Sequence, residues 1–219
     1  MKRPRTAAAR AERTAKILEV LDGTYSHPTV PLLHHDAWEL LVATILSAQC
    51  TDKRVNEVTP GLFQKYPTMT DFAHANQAEM AQDVRSTGFF NNKARAVIGA
   101  AKKILADYGG KVPCTMEELL TIPGAARKTA NVVLGGAYGI ASGVVVDTHV
   151  QRLAFRLDLT KNTDPVKIER DLMKIVPRER WTAFGLQSIY HGRALCVARR
   201  PRCAECPLDL LCYSKDKTD

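Results

Sequence analysis

An all-α fold is what the sequence predicts, on three observations. Apolar residues recur at three- and four-residue intervals through most of the chain. Residues that cap helices stand just before most of these runs. Only Gly143-Val144-Val145-Val146 reads as a strand, and one short strand cannot make a sheet.

The first predicted helix starts at Asp36, which forms a capping pair with Glu39 and leads to an apolar face of Leu41, Val42, Ile45 and Leu46. Asp52 is expected to cap the second, with Val55, Val58, Leu62 and Phe63 inward. Asn76 and Glu79 have the spacing of a capping box, leading to Val84 and a stop at Gly88. Segment 92–108 repeats the pattern through Val97, Ile98, Ala101, Ile104 and Leu105, and Gly109-Gly110 ends it. Thr115 with Glu118 opens a short helix that runs into Pro123-Gly124. Further helices are expected at 125–138, 148–158, 165–176 and 179–194, the third of these announced by Asp164-Pro165.

The chain has 219 residues, enough to bury a real core, with 45% hydrophobic and 25% charged residues. There are 31 Lys and Arg against 23 Asp and Glu, a net charge of +8. That balance favours a polyanionic partner, nucleic acid before an anionic membrane surface. No apolar run approaches the ~18 residues of a membrane span and no secretory segment opens the chain, so a soluble, intracellular protein is expected. Lys2, Arg3, Arg5, Arg10, Arg13 and Lys16 face only Glu12 in the first sixteen residues. This segment reads as a solvated arm able to help hold DNA by counterion release. An Ala- and Arg-rich transit peptide fits less well, because the segment has no Ser.

In "IPGAARKTANVVL" two basic residues follow a Pro-Gly turn and open a helix, where the helix dipole opposes their charge. Two helices joined by this turn form a helix-hairpin-helix, whose backbone N–H groups can face a DNA phosphate. The residues concerned are Ile122, Gly124 and Ala126, with Arg127 beside them. A Pro-Gly turn between helices is common, and the basic pair with the +8 charge is what tips it toward anion binding. Lys128 has two readings: a phosphate contact, or an amine that displaces a base at a sugar C1′ and forms a Schiff base. Asp147 in "VVVDTHVQRL" reads as a helix N-cap. It is also a carboxylate that can stabilise positive charge on a ribose and assist proton removal. Residues 140–146, extended, return up to ~23 Å, enough to undo the ~15 Å that a helix after Lys128 carries the chain away.

Four of the six cysteines, Cys196, Cys203, Cys206 and Cys212, have the spacing C-x6-C-x2-C-x5-C. In an intracellular chain this marks a metallocentre, and four thiolates suit tetrahedral zinc or a [4Fe–4S] cluster. Cys50 and Cys114 read as buried and inert. Arg199, Arg200 and Arg202 make the loop between the first two ligands basic, a solvated face or a grip on phosphate.

Together "LVATILSAQCTD", "GFFNNKA", "IPGAARKTANVVLGGAYG", "VVVDTHVQRL" and the cysteine tail resemble the endonuclease III family of DNA glycosylases, from about residue 20 to 213. The resemblance implies a six-helix barrel domain over 31–139 and a cluster domain made of 1–30 and 140–219. It implies a bifunctional glycosylase and AP lyase of base excision repair, which removes oxidised pyrimidines from duplex DNA and cleaves the abasic site by β-elimination. It implies Lys128 as nucleophile, Asp147 as catalytic carboxylate, and a [4Fe–4S] cluster on Cys196, Cys203, Cys206 and Cys212. Gln49 is similar to the residue that fills the hole left by a flipped base. The hairpin backbone at 122–126 would bind phosphate and offer carbonyls to a monovalent cation. A monomer is expected, acting in the cytoplasm on double-stranded DNA with damaged bases or abasic sites, and no membrane.

Two residues depart from the family pattern. Ala126 replaces the second glycine of P-G-x-G, which is expected to stiffen the hairpin or weaken its phosphate binding. Phe89 stands where the family carries a leucine wedge, and a bulkier aromatic wedge is physically reasonable. Two rivals remain at this point. Adenine-mismatch glycosylases share the scaffold but lack the nucleophilic lysine and carry a further C-terminal domain, whereas this sequence has Lys128 and ends seven residues after Cys212. A non-catalytic cluster-bearing DNA-binding module would have no use for Lys128 paired with Asp147.

Overall fold

The computed structural model describes residues 3, 4 and 6–218; Lys2 and Arg5 of the basic segment lie outside them. The described residues form eleven α-helices and four short 3-10 turns, with no strand. In chain order the helices are α1 (Ala7–Thr24), α2 (Ala37–Leu46), α3 (Asp52–Lys65), α4 (Met69–His74), α5 (Gln77–Asp83) and α6 (Phe90–Tyr108). There follow α7 (Met116–Leu119), α8 (Arg127–Ala137), α9 (Thr148–Arg156), α10 (Pro165–Ile175) and α11 (Trp181–Ala194). Residues 143–146, the one strand-like run, are neither helix nor strand. No described helix is long and apolar enough to cross a membrane. The chain divides into two compact units, Val30–Ser142, and Met1–Thr29 together with Gly143–Asp219.

In the unit Val30–Ser142, α2 is apolar on nearly every side, and a helix of that kind must be surrounded. Trp38, Leu40, Leu41, Val42, Ala43, Thr44, Ile45 and Leu46 are all buried in it. Gly136 lets α8 lie close against it, since a Cβ there would come within 2.8 Å of Leu40 Cδ2. The caps at Asp36, Asn76 and Thr115 are those expected, each accepting backbone N–H bonds from its own helix. At α3 the cap is Thr51, whose Oγ1 accepts from the Arg54 N–H at 3.3 Å. Asp52 is instead the first helical residue, where its charge suits the dipole. Helix α4 was not expected, because six residues are too few for a periodic signal. Thr68 and Asp71 form its capping box, and Phe72 is enclosed by the rings of Trp38, Tyr66 and Phe63 at 5.3, 5.3 and 6.2 Å.

In the second unit, α1 corrects the expectation of a solvated arm. The Thr6 hydroxyl accepts from the Ala9 N–H and starts a helix at Ala7. Ile17, Leu18 and Leu21 pack into a core with Val150, Leu153, Ile168 and Leu172. Arg13 is buried rather than solvated. Its guanidinium donates to the Leu157 and Leu211 carbonyls, the latter at 2.6 Å, and lies 4.5 Å from the Tyr213 ring centre. Buried Arg thus satisfies carbonyls at two element ends that no backbone donor reaches.

Candidate functional site

The hairpin is rooted in the core and open at its tip. Ile122 and Ala125 are buried, while Pro123, Gly124, Ala126, Arg127 and Lys128 are exposed. The Ala125 N–H donates to the Ile122 carbonyl at 3.0 Å and closes the turn. Gly124 has φ +82°, and a Cβ on it would lie 3.0 Å from Ala96 Cβ and 3.3 Å from Ile45 Cδ1. Both the dihedral and the close packing require glycine. Ala126 has φ −75° and ψ 170°, an extended geometry any residue adopts, so alanine in place of a second glycine strains nothing. An alanine cannot cap, so the side chain of the N-cap residue offers no acceptor to the first turn of α8. Lys128 is the second residue of α8, in that first turn.

Four non-glycine residues among those described have left-handed backbones: Gln49 (φ 53°), Phe89 (φ 48°), Asp158 (φ 56°) and Arg200 (φ 52°). Such conformations cost on the order of 1–3 kcal/mol each and persist only where the surroundings impose them. Three of the four are residues that the sequence reading assigns to DNA contact. Gln49 is exposed just beyond the end of α2, and Phe89, 61% exposed, caps the start of α6. Lys93, which the sequence reading passed over, lies between the two loops. It is buried, and its Nζ donates to the Leu46 carbonyl at 2.8 Å and to the Thr87 carbonyl at 2.6 Å. Burial lowers its pKa from the ordinary lysine value, with the nearby Cys50 opposing that shift.

Asp147, in the other unit, is the N-cap of α9. Its Oδ1 accepts from the His149 and Val150 N–H groups, both at 2.8 Å; Oδ2 takes part in neither bond.

The four tail cysteines line one cavity with Arg156 and His191. Among the described residues no three His, Cys, Asp or Glu side chains converge on the position of a single ion. Two side-chain nitrogens reach the sulfurs. Arg156 Nη1 lies 3.3 Å from Cys196 Sγ, and His191 Nε2 lies 3.3 Å from Cys206 Sγ. His191 is fully buried, its pKa pushed down to about 4 by desolvation, and its Nδ1 meets the Tyr25 hydroxyl at 3.3 Å. Burial raises the Cys206 thiol to about 11 and the Cys212 thiol above its ordinary value. Thiols so placed keep their protons until a metal displaces them. All four candidate ligands are sulfur, and one of the sulfurs, Cys196 Sγ, accepts from Arg156, which fits a thiolate-held cluster.

The basic loop is tied down from α9. Arg152 donates to the Gly192 and Cys196 carbonyls at 2.9 and 2.8 Å. Arg156 donates to Val197 and Ala198 at 2.7 and 3.2 Å, and to Asp216 at 2.6 Å. These two arginines are four apart in "HVQRLAFRL", a spacing that puts them on one helix face. Arg200 is exposed; Arg202 makes a bidentate pair with Glu205 at 2.7 and 2.5 Å. Cys50 is half-buried and Cys114 is exposed rather than buried; the apolar residues flanking Cys114 in sequence do not cover it.

Residues 42–178 match the family model described as the HhH-GPD superfamily base excision DNA repair protein. The chain is similar to endonuclease III of Synechocystis sp., 54% identical over 96% of both chains. It is 43% identical to endonuclease III of Bacillus subtilis over 92% of each. Solved structures of a non-covalent endonuclease III–DNA complex and of a trapped covalent endonuclease III–DNA intermediate each align with a TM-score of 0.88 at 39% identity. They cover 93% of this chain and 95% of those. A thermostable thymine-DNA glycosylase, 22% identical, shares the fold with a TM-score of 0.84.

Proposed function

Since the chain belongs to the HhH-GPD superfamily of base excision DNA repair proteins, we propose that it removes oxidised pyrimidines from duplex DNA with Lys128 as nucleophile. The protein is a DNA glycosylase with AP lyase activity, and duplex DNA is its partner. One observation carries the residue assignment: an exposed lysine in the first turn of a helix whose N-cap residue offers no side-chain acceptor, behind a hairpin anchored in the core.

In this reading the first N–H groups of α8 and the hairpin backbone take a DNA phosphate. The Lys128 amine attacks C1′, a C–N bond forms, the glycosidic bond breaks, and the base departs having taken up a proton. The sugar ring then opens as the C1′–O4′ bond breaks and O4′ takes up a proton, leaving an imine at C1′ that acidifies C2′; loss of a C2′ proton breaks the C3′–O bond, expels the 3′ phosphate and nicks the strand. Asp147 steadies positive charge on the ribose and assists proton removal through Oδ2, because Oδ1 is committed to the cap. Gln49 and Phe89 enter the duplex, Gln49 filling the space of the extruded base and Phe89 wedging the step. Arg127, Arg200 and Arg202 meet phosphates. Cys196, Cys203, Cys206 and Cys212 hold a [4Fe–4S] cluster, which when bound cross-braces the basic loop. The protein works as a cytoplasmic monomer.

Borohydride trapping tests the nucleophile. Wild-type protein on abasic-site DNA is expected to give a covalent adduct and nicked product. Lys128→Gln, which keeps the reach without the amine, is expected to abolish both while DNA affinity stays within a few-fold. Full adduct from Lys128→Gln would assign the chemistry to another amine. Asp147→Asn is expected to slow base release strongly at little cost in stability, since Asn caps about as well as Asp. For the cysteines, elemental analysis after anaerobic purification is expected to find iron in a yellow-brown protein; one zinc and no iron would reject the cluster.

A further inference from the structure

We infer that Lys93 is a positioning residue that yokes the Gln49 and Phe89 loops, so that the two side chains enter DNA as one unit. This rests on the reading that both side chains penetrate the duplex. A buried ammonium is expensive, and a methionine would fill the same space without a charge. Among the described residues Lys93 makes no ion pair; its two acceptors are main-chain carbonyls. What those bonds accomplish is a link across sequence. Leu46 is the last residue of α2, three before Gln49, and Thr87 ends a 3-10 turn two before Phe89. One Nζ therefore grips the root of each strained loop.

The electrostatics favour that arrangement from one side only. The backbone of Lys93 belongs to the first turn of α6, where a positive charge opposes the helix dipole. Its Nζ reaches the C-terminal end of α2, where a positive charge is favoured and where Leu46 is one of the carbonyls without an intrahelical partner. The side chain thus spans from a disfavoured end to a favoured one and bonds the second loop on the way. Both loops carry a left-handed non-glycine residue at their tip, Gln49 and Phe89. Such geometry holds only when neighbouring structure over-determines it. Thr87 is buried and its hydroxyl donates to the Val84 carbonyl at 2.8 Å, so the Phe89 root is itself firm. Loss of the shared donor frees the two roots from each other without touching either tip.

A mutant cycle tests this, read as the single-turnover rate of base release from a lesion-bearing duplex at saturating protein. Lys93→Met is expected to slow release about tenfold in the wild-type background. In a Gln49→Ala/Phe89→Ala background, where there are no tips left to position, the same substitution is expected to cost less than twofold. The fluorescence of a 2-aminopurine placed beside the lesion, which reports unstacking, is expected to fall with Lys93→Met while DNA affinity changes little. Lys93→Arg, which keeps donors at the site, should recover part of the rate. An equal cost in both backgrounds, or no cost in either, overturns the yoke and leaves Lys93 a residue of the core. If Gln49→Ala/Phe89→Ala alone leaves base release and 2-aminopurine unstacking untouched, the duplex-penetration reading itself fails, and the yoke with it. Should Lys93→Met fail to fold, Lys93→Gln, which retains one donor group, goes through the same cycle and is judged by the same two outcomes.

Discussion

The hairpin before α8 and the cysteine loop after α11 both present arginines to solvent, and they are held in opposite ways. The hairpin is shaped by its own backbone: one left-handed glycine, one closing hydrogen bond and two buried apolar anchors. Few of its constraints come from polar side chains. The cysteine loop is shaped from outside, by Arg152 and Arg156 reaching from α9 to its carbonyls and by four thiols facing one cavity. A locally encoded turn is cheap to keep and suits a group that must be presented at one angle. The loop of 196–212 has two 3-10 turns in its second half, but the carbonyls of Cys196, Val197 and Ala198 in its first part are held by side chains distant in sequence.

The largest effect expected from this contrast falls on the carbonyls held from outside. Arg156→Met strands the Val197 and Ala198 carbonyls and removes the donor to Cys196 Sγ. We expect a loss of about 3 kcal/mol of stability in this unit. Trypsin should then cut after Arg199, the Arg200–Pro201 bond being one that trypsin leaves intact, under conditions that leave the wild-type chain whole. Resistance to trypsin in Arg156→Met would mean that the group bound by the cysteines holds the loop unaided.

A smaller loss is expected at the hairpin, and there it should depend on one atom. Gly124→Ala meets both a positive φ and a 3.0 Å contact with Ala96 Cβ, and should cost about 2 kcal/mol by urea denaturation. Ala126→Gly, two residues on and at an ordinary φ, should cost under about 1 kcal/mol, chiefly through the unfolded chain. Equal losses at the two positions would erase the claim that Gly124 alone shapes the turn.

The smallest effect separates the arginines within the cysteine loop. Arg200→Ala should lower the salt dependence of DNA binding by about one phosphate contact. Arg202→Ala should lower it less, because that guanidinium is already engaged by both Glu205 oxygens. A full-sized effect from Arg202 would show that DNA displaces Glu205.

What the sequence determined by itself is whatever rests on neighbours in the chain. The helices, their stops at Gly109-Gly110 and their caps at Asp36, Asn76, Thr115 and Asp164 are all local events, settled within about one turn. The cap of α3 moved by one residue, to Thr51, because Thr and Asp side by side are both competent caps. Tertiary structure decided the rest. Helix α1 carries no apolar side chain larger than alanine before Ile17, and it is the core packing of Ile17, Leu18 and Leu21 with the burial of Arg13 against the Leu157 and Leu211 carbonyls that keeps it from being an arm. Helix α4 is one short segment gathered under an aromatic cluster from other helices. The left-handed backbones at Gln49, Phe89 and Arg200 leave no mark in composition, because those residue types do not prefer that geometry. Lys93 reads in sequence as one more surface charge near a helix start; only the fold brings Leu46 and Thr87 to its amine, and a hydrogen bond spanning 47 residues has no local signature.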